Sequence, residues 1–227
     1  MRWMLTFVMM LLPAFAAAQE APALKTEKEK LSYAMGMDLG SQLKTRSVEI
    51  DPAIFGRGLA DALAGSKTLL TAEEAKAIIT ELQKAMMAKQ AEAAKVAGEK
   101  NKAEGDAFLA ANKAKEGVVA LTSGVQYKVL TAGTGKMPTI DDTVVCQYRG
   151  TLIDGKEFDS SYTRGQPITF AVKGVIKGWT EVLQLMPVGS KWQVFIPPNL
   201  AYAERGSGAM IGPNATLIFE IELVAIK

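Results

Sequence analysis

The sequence predicts an α+β protein, a helical first half joined to a curved antiparallel β-sheet wrapped on one short helix. Three observations predict it. Apolar residues recur at helical spacing up to about Met86 and at period two after Gly117. Between them, from Thr71 to about Ala114, there is no proline, and Ala, Lys, Glu and Gln dominate. These are strong helix formers. Ten of the sixteen aromatic residues follow residue 115, beside glycines and prolines.

Residues 1–18 read as a secretory signal. Arg2 gives a positive start, Met4–Phe15 is a short apolar run, and Ala16-Ala17-Ala18 is a small-residue cleavage pattern. The run is shorter than the roughly 20 residues of a bilayer span. No transmembrane span is therefore expected after cleavage near Gln19, and an uncleaved anchor is the alternative.

Residues 19–70 are expected to form a helical dimerisation region. Thr26-Glu27-Lys28-Glu29 has capping-box spacing and opens a helix bearing Leu31, Ala34, Met35, Leu39 and Leu43. Asp51-Pro52 opens a second, bearing Ile54, Phe55, Leu59 and Leu63 and ending at Gly65-Ser66. Such short helices can hardly bury their apolar stripes alone, whereas a second copy would cover them. Met35, Met37, Met86 and Met87 suit an adaptable helix–helix interface. A self-contained helical domain is the alternative.

Residues 71–115 are expected to be one long connecting helix of roughly 65 Å, opened by a capping box at Thr71–Glu74. Its middle, Lys89–Gly105, is nearly all alanine and charge, which predicts a solvated stalk or a frayed linker rather than a packed helix. Gly98 and Gly105 each weaken it by about 1 kcal/mol against alanine and mark places to bend.

Residues 116–227 are expected to be one α+β domain. Strands are predicted at 118–121, 125–130, 143–151, 168–172, 191–196 and 216–226. Asp154-Gly155 signals a hairpin turn. Trp179–Leu185 is the short helix, set across the sheet so that a pocket lies between them. Cys146 falls on the inward face with Val144 and Tyr148 and reads as a small buried residue, with no second cysteine to pair with.

Much chemistry is excluded. With no histidine and one cysteine, Ser-His-Asp and Cys-His arrangements and zinc of the His/Cys kind cannot be built. No metal or cofactor is expected. A net charge of +2 argues against nucleic acid as the main partner. Ala132–Met137 fails as a phosphate loop because Leu130 and Met137 stand at required Gly and Ser/Thr positions. Of the acidic cluster Asp154, Glu157 and Asp159, only Asp159, between Phe158 and two serines, looks placed. A pocket working by shape and desolvation is the leading reading.

The string Val145–Leu152, with Asp154–Ser161, Val175–Trp179, Ala201-Tyr202 and Ala215–Phe219, resembles the FKBP-type peptidyl-prolyl cis–trans isomerases over essentially all of 117–227. Leu31–Gly36, Gly105–Leu109 and Leu183–Pro187 are similar to the Mip (macrophage infectivity potentiator) branch of Gram-negative bacteria. The resemblance implies an FKBP-like fold and a homodimer through the N-terminal helices, with isomerase domains on long helical arms. It implies proline-containing polypeptides as substrates and rapamycin-type macrocycles as inhibitors. It gives Tyr148, Asp159 and Tyr202 catalytic roles. It places Phe158, Ile168, Phe170, Val175, Ile176, Trp179, Met210, Ile211 and Phe219 in the binding site, with Trp179 as its floor and the Ile176 N–H and Tyr202 hydroxyl on substrate carbonyls. Three positions depart from the pattern. Ile168 stands where eukaryotic members often have an aromatic ring, Ala203 replaces the usual glycine after Tyr202, and Ser207, Met210 and Ile211 occupy the flap. An exported, dimeric prolyl isomerase that assists folding in the periplasm or at the outer membrane is the function implied. A chaperone or adhesion-type binding module is the alternative.

Overall fold

The computed structural model describes residues 24–227. The predicted signal, residues 1–18, lies outside them. The described chain divides into two units, one ending at Ala72 and one running from Glu73 to Lys227.

The first unit holds α1 (Glu27–Thr45) and α2 (Pro52–Ala64). The capping box of α1 is formed: Thr26 Oγ1 accepts from the Glu29 N–H at 3.1 Å, and the Glu29 carboxylate accepts from the Thr26 N–H at 2.9 Å. Asp51 caps α2 by accepting from the N–H groups of Ala53 and Ile54. Gly65 ends α2 at φ 63°, a left-handed conformation free of a Cβ clash. Neither helix has a buried residue. Leu31, Met35, Ile54, Leu59 and Leu63 are all more than half exposed.

In the second unit α3 (Ala72–Asn112) runs unbroken for 41 residues, about 62 Å at 1.5 Å per residue. It stays helical through both glycines, and one face of its later turns is docked and not solvated. Gly98, Gly105 and Asn112 are buried. A Cβ on Gly98 would stand 3.2 Å from Pro213 Cβ, and one on Gly105 only 2.3 Å from Thr216 Oγ1. Asn101 Nδ2 donates to the Pro213 carbonyl at 2.8 Å. Phe108 meets Phe195 at 5.9 Å between ring centres. Asn112 Nδ2 donates to Gln126 Oε1 at 3.0 Å, and Gln126 Nε2 donates to the Leu109 carbonyl at 2.9 Å. Residues 98, 101, 105, 108 and 112 recur at steps of three and four, so one face of α3 docks. That face carries glycines and amides instead of an apolar stripe, which is why polarity alone misreads it.

The sheet is antiparallel: β1 (Val118–Ala120), β2 (Gln126–Thr131), β3 (Thr143–Leu152), β4 (Glu157–Ser160), β5 (Ile168–Ala171), β6 (Lys191–Ile196) and β7 (Leu217–Ile226). The order is β1-β2-β6-β7-β3-β4, with β5 also on β3. The six predicted strands are present. β4 is additional: it is four residues long with two acidic side chains, too short and polar for a period-two signal. Val144, Cys146 and Tyr148 alternate inward on β3, as do Leu217, Phe219, Ile221 and Leu223 on β7. Burial pushes the Cys146 thiol up to about 12.

The short helix, α4 (Lys177–Leu183), starts two residues ahead of Trp179 and buries Trp179, Val182 and Leu183. A Cβ on Gly178 would stand 2.5 Å from Ile196 Cγ2. Glycine therefore lets the first turn of α4 press against β6.

In an undocked helix Gly105→Ala would stabilise by about 1 kcal/mol through propensity. Against Thr216 we expect the opposite sign, a net loss of about 1–2 kcal/mol as the buried contact is forced apart. Thermal unfolding of the full chain measures it, and a raised melting temperature would mean that α3 is not docked at Gly105.

Candidate functional site

A cavity of about 630 Å³ opens between α4 and the sheet. Each bordering element contributes. β3 brings Tyr148, β4 brings Phe158 and Asp159, β5 brings Phe170, α4 brings Trp179 and β7 brings Phe219. Val175 and Ile176 come from the segment entering α4. Tyr202, Met210 and Ile211 come from the loop between β6 and β7.

Trp179, 4% exposed, is surrounded by rings. Tyr148, Phe170 and Phe219 have centres 5.2, 5.5 and 5.2 Å from it, at interplanar angles of 88°, 73° and 84°. Phe158 stands edge-on to Phe219 at 5.5 Å. Edge-to-face geometry sets positive ring edges against negative faces, so the cage is rigid as well as apolar. Gly150, between the strands carrying Phe158 and Phe219, leaves room for both: a Cβ there would stand 2.6 Å from the Phe158 ring and 2.9 Å from Phe219.

One wall is polar. The Tyr148 hydroxyl donates to Asp159 Oδ2 at 2.5 Å, and Arg164 Nη1 donates to Asp159 Oδ1 at 2.6 Å. Arg164 Nη2 also reaches the Tyr148 hydroxyl. Burial alone would raise the Asp159 carboxyl, but the Arg164 and Tyr148 hydrogen bonds outweigh it and hold it below its ordinary value. Burial first, and then the Asp159 hydrogen bond and charge, push the Tyr148 phenol up to about 12. Asp159 is therefore an anion and Tyr148 a neutral donor across the physiological range.

The Ile176 N–H, just ahead of α4, has no acceptor among the described residues. Tyr202 is 37% exposed at the rim. The flap is closed on itself by Ser207 N–H to Ile211 O at 2.8 Å and Ile211 N–H to Ser207 O at 3.1 Å. Ala203 has φ 50°, a left-handed conformation that is costly for alanine. It is pinned there by the Asn214 N–H, which donates to the Ala203 carbonyl at 2.8 Å.

Every predicted site residue but one lines the cavity. Ile168 does not. It pairs with Cys146 and packs on the core, one two-residue strand step from Phe170, and that step of about 6.6 Å carries it past the cavity. The sequence reading also lacked Arg164, which follows Asp159 by five residues through a turn and carries no periodic signal. Asn101 on α3 is a second omission. It holds Pro213, and the next residue, Asn214, holds Ala203 beside Tyr202.

This arrangement has relatives. The profile described as "FKBP-type peptidyl-prolyl cis-trans isomerase" matches residues 134–224, and that of "Domain amino terminal to FKBP-type peptidyl-prolyl isomerase" matches residues 28–129. "Outer membrane protein MIP" of Legionella longbeachae is 50% identical over 211 residues, 93% of this chain and 91% of that one. The chain belongs to the FKBP-type peptidyl-prolyl cis-trans isomerases. "Peptidyl-prolyl cis-trans isomerase Mip" of Coxiella burnetii is 44% identical over 226 residues, 100% of this chain and 98% of that one. Among solved structures, FkpA from Escherichia coli matches with a TM-score of 0.67 at 35% identity, covering 90% of this chain and 99% of that one. Among the described residues no helix is long and apolar enough to cross a membrane. The FKBP-type domain thus carries its aromatic cavity on an FKBP-like sheet with one short helix.

The lowered Asp159 pKa fixes a pH dependence. A depressed carboxyl contributes fully above its ordinary range, near about 4, and that contribution is lost as pH falls through the lowered value. The chain has no histidine, and Asp159 held low and Tyr148 pushed up both titrate away from neutrality. We expect kcat/KM on a short proline peptide to stay flat from about pH 6 to 9. A bell-shaped profile in that window would contradict the assignment.

Proposed function

We propose that this isomerase turns X–Pro bonds of exported polypeptides by seating the proline on Trp179 inside the ring cage. Twisting an amide loses resonance, a barrier of about 18–20 kcal/mol. The twisted state has less charge separation than the planar amide, so an apolar, water-excluded cavity favours it relative to water. The perpendicular packing of Tyr148, Phe170 and Phe219 around Trp179 is the observation that carries this reading. It supplies such a cavity without a nucleophile, a metal or a proton donor.

In this reading the Ile176 N–H and the Tyr202 hydroxyl hold substrate carbonyls while the bond turns. Asp159 acts through Tyr148, holding its hydroxyl and its ring, and Arg164 fixes Asp159. Met210 and Ile211 on the flap set preference for the residue next to proline. Rapamycin-type macrocycles fit the same apolar cavity. Removing one substrate hydrogen bond costs about 1–1.5 kcal/mol, or roughly tenfold in rate. We expect Tyr202→Phe to lower kcat/KM by about that factor, and Asp159→Leu to lower it by a similar factor through loss of the hydrogen bond that holds Tyr148, with melting temperature changed by only a few degrees. Unchanged turnover in either variant would remove that residue from the mechanism.

The division into a leader at 1–18, a dimerisation region at 19–70, a connecting helix at 71–115 and an isomerase domain at 116–227 accompanies this proposal. The exposed apolar side chains of α1 and α2 support pairing with a second copy, since isolated helices of this length are marginal in water. The leader-like start and the outer-membrane name of the Legionella relative support export to the periplasm or the outer membrane. Sedimentation of the mature chain is expected to give two chains per particle. The Leu31→Asp/Leu59→Asp variant is expected to give one, and a wild-type monomer at micromolar concentration would overturn the pairing.

A further inference from the structure

Tyr202 stands between two cavities. One face borders the aromatic cavity, and the residue also borders a groove of about 1100 Å³ formed where the loop after β6 runs beside α3. Among the described residues, Tyr202 is the one lining residue common to both. The groove's α3 wall is Lys102 and Asp106, whose side chains pair at 2.6 Å. Across from them lie Pro197, Asn199, Glu204 and Arg205.

We propose that this groove is a subsite for the client chain, taking the residues that flank the proline on one side after they pass over Tyr202. The proposal rests on the aromatic cavity being the proline site. The occupant is an extended polypeptide for three reasons. The groove adjoins the cavity, with Tyr202 as the residue they share, so a chain leaving the cavity over Tyr202 reaches it. Its chemistry suits a backbone and mixed side chains: carboxamides at Asn199 and Asn214 offer donors and acceptors, prolines offer apolar surface, and both charge signs are present. Its α3 wall is also fixed in place. Gly98, Asn101 and Gly105 dock the helix against Pro213 and Thr216, and Lys102 and Asp106 each follow a docked residue by one position. A fixed wall binds without the entropy cost of ordering a loose one.

The consequence is that α3, which precedes the sheet in the chain, reads sequence around the proline. It would give this enzyme a preference for longer substrates that the aromatic cavity alone cannot provide.

The test compares a proline tetrapeptide with the same peptide lengthened by four residues on the N-terminal side, on the C-terminal side, or on both. Isomerisation is followed on the full mature chain and on two groove-filling variants at exposed positions, Asn199→Trp and Asp106→Trp. We expect lengthening on one side to raise kcat/KM about fivefold, through KM. We expect both variants to lose that gain while turning over the tetrapeptide within twofold of wild type. The tetrapeptide rate also reports that each variant is folded. Equal kcat/KM for all lengths, or a length gain that survives both variants, would overturn the groove. A wild-type chain that fails even on the tetrapeptide would overturn the cavity reading and the groove with it, a distinct result from lost length dependence.

Discussion

The indole of Trp179 is packed from three sides by rings set nearly perpendicular to it, and this packing depends on how close α4 comes to the sheet. Gly178 lets the helix approach Ile196 to within a distance that any side chain would forbid. β3, β5 and β7 then present Tyr148, Phe170 and Phe219 around the indole, each ring centre within 5.5 Å of it. The same ring closes the core below and floors the cavity above. Core packing and cavity shape are therefore one constraint: a change that loosens α4 reaches both, because interiors packed at crystal density do not absorb displacement locally.

Around this centre the charged and phenolic groups of the polar wall are committed to one another. Asp159 is spent on Tyr148 and Arg164, and charge-assisted bonds of this kind are short and directional. The rim is held from further away. α3 grips Pro213 through Asn101, and the adjoining Asn214 grips Ala203 in a backbone conformation that alanine does not choose by itself. The later turns of α3 are thus built into the support of the loop bearing Tyr202.

Most of the architecture was legible in the chain. Period-two alternation found six strands, and the capping residues Thr26 and Asp51 marked helix starts that the structure keeps. The aromatic residues of the cavity were readable because family resemblance fixed their positions. What escaped reading has a common physical origin. Arg164 acts through a turn, and β4 is too short to show a period. Gly98 and Gly105 look like weaknesses when helix propensity is considered alone, yet each is a place where the helix touches its neighbour. The family pattern puts Ile168 at the site, whereas in the fold it pairs with Cys146, one strand step along the same face from Phe170, and packs on the core outside the cavity lining. Local preference is visible in sequence, whereas close approach between distant segments is not.

Cys146 has a consequence for the company this enzyme keeps. Its sulfur is wholly buried on β3, and burial holds the thiol protonated up to about 12. Thiol–disulfide exchange requires a thiolate with access to a sulfur. The folded enzyme has neither. It forms no internal bridge, since no second cysteine exists, and its native state offers no sulfur to a client whose own disulfides are still being sorted. An isomerase of this construction acts on the conformation of a maturing chain while staying outside its redox chemistry.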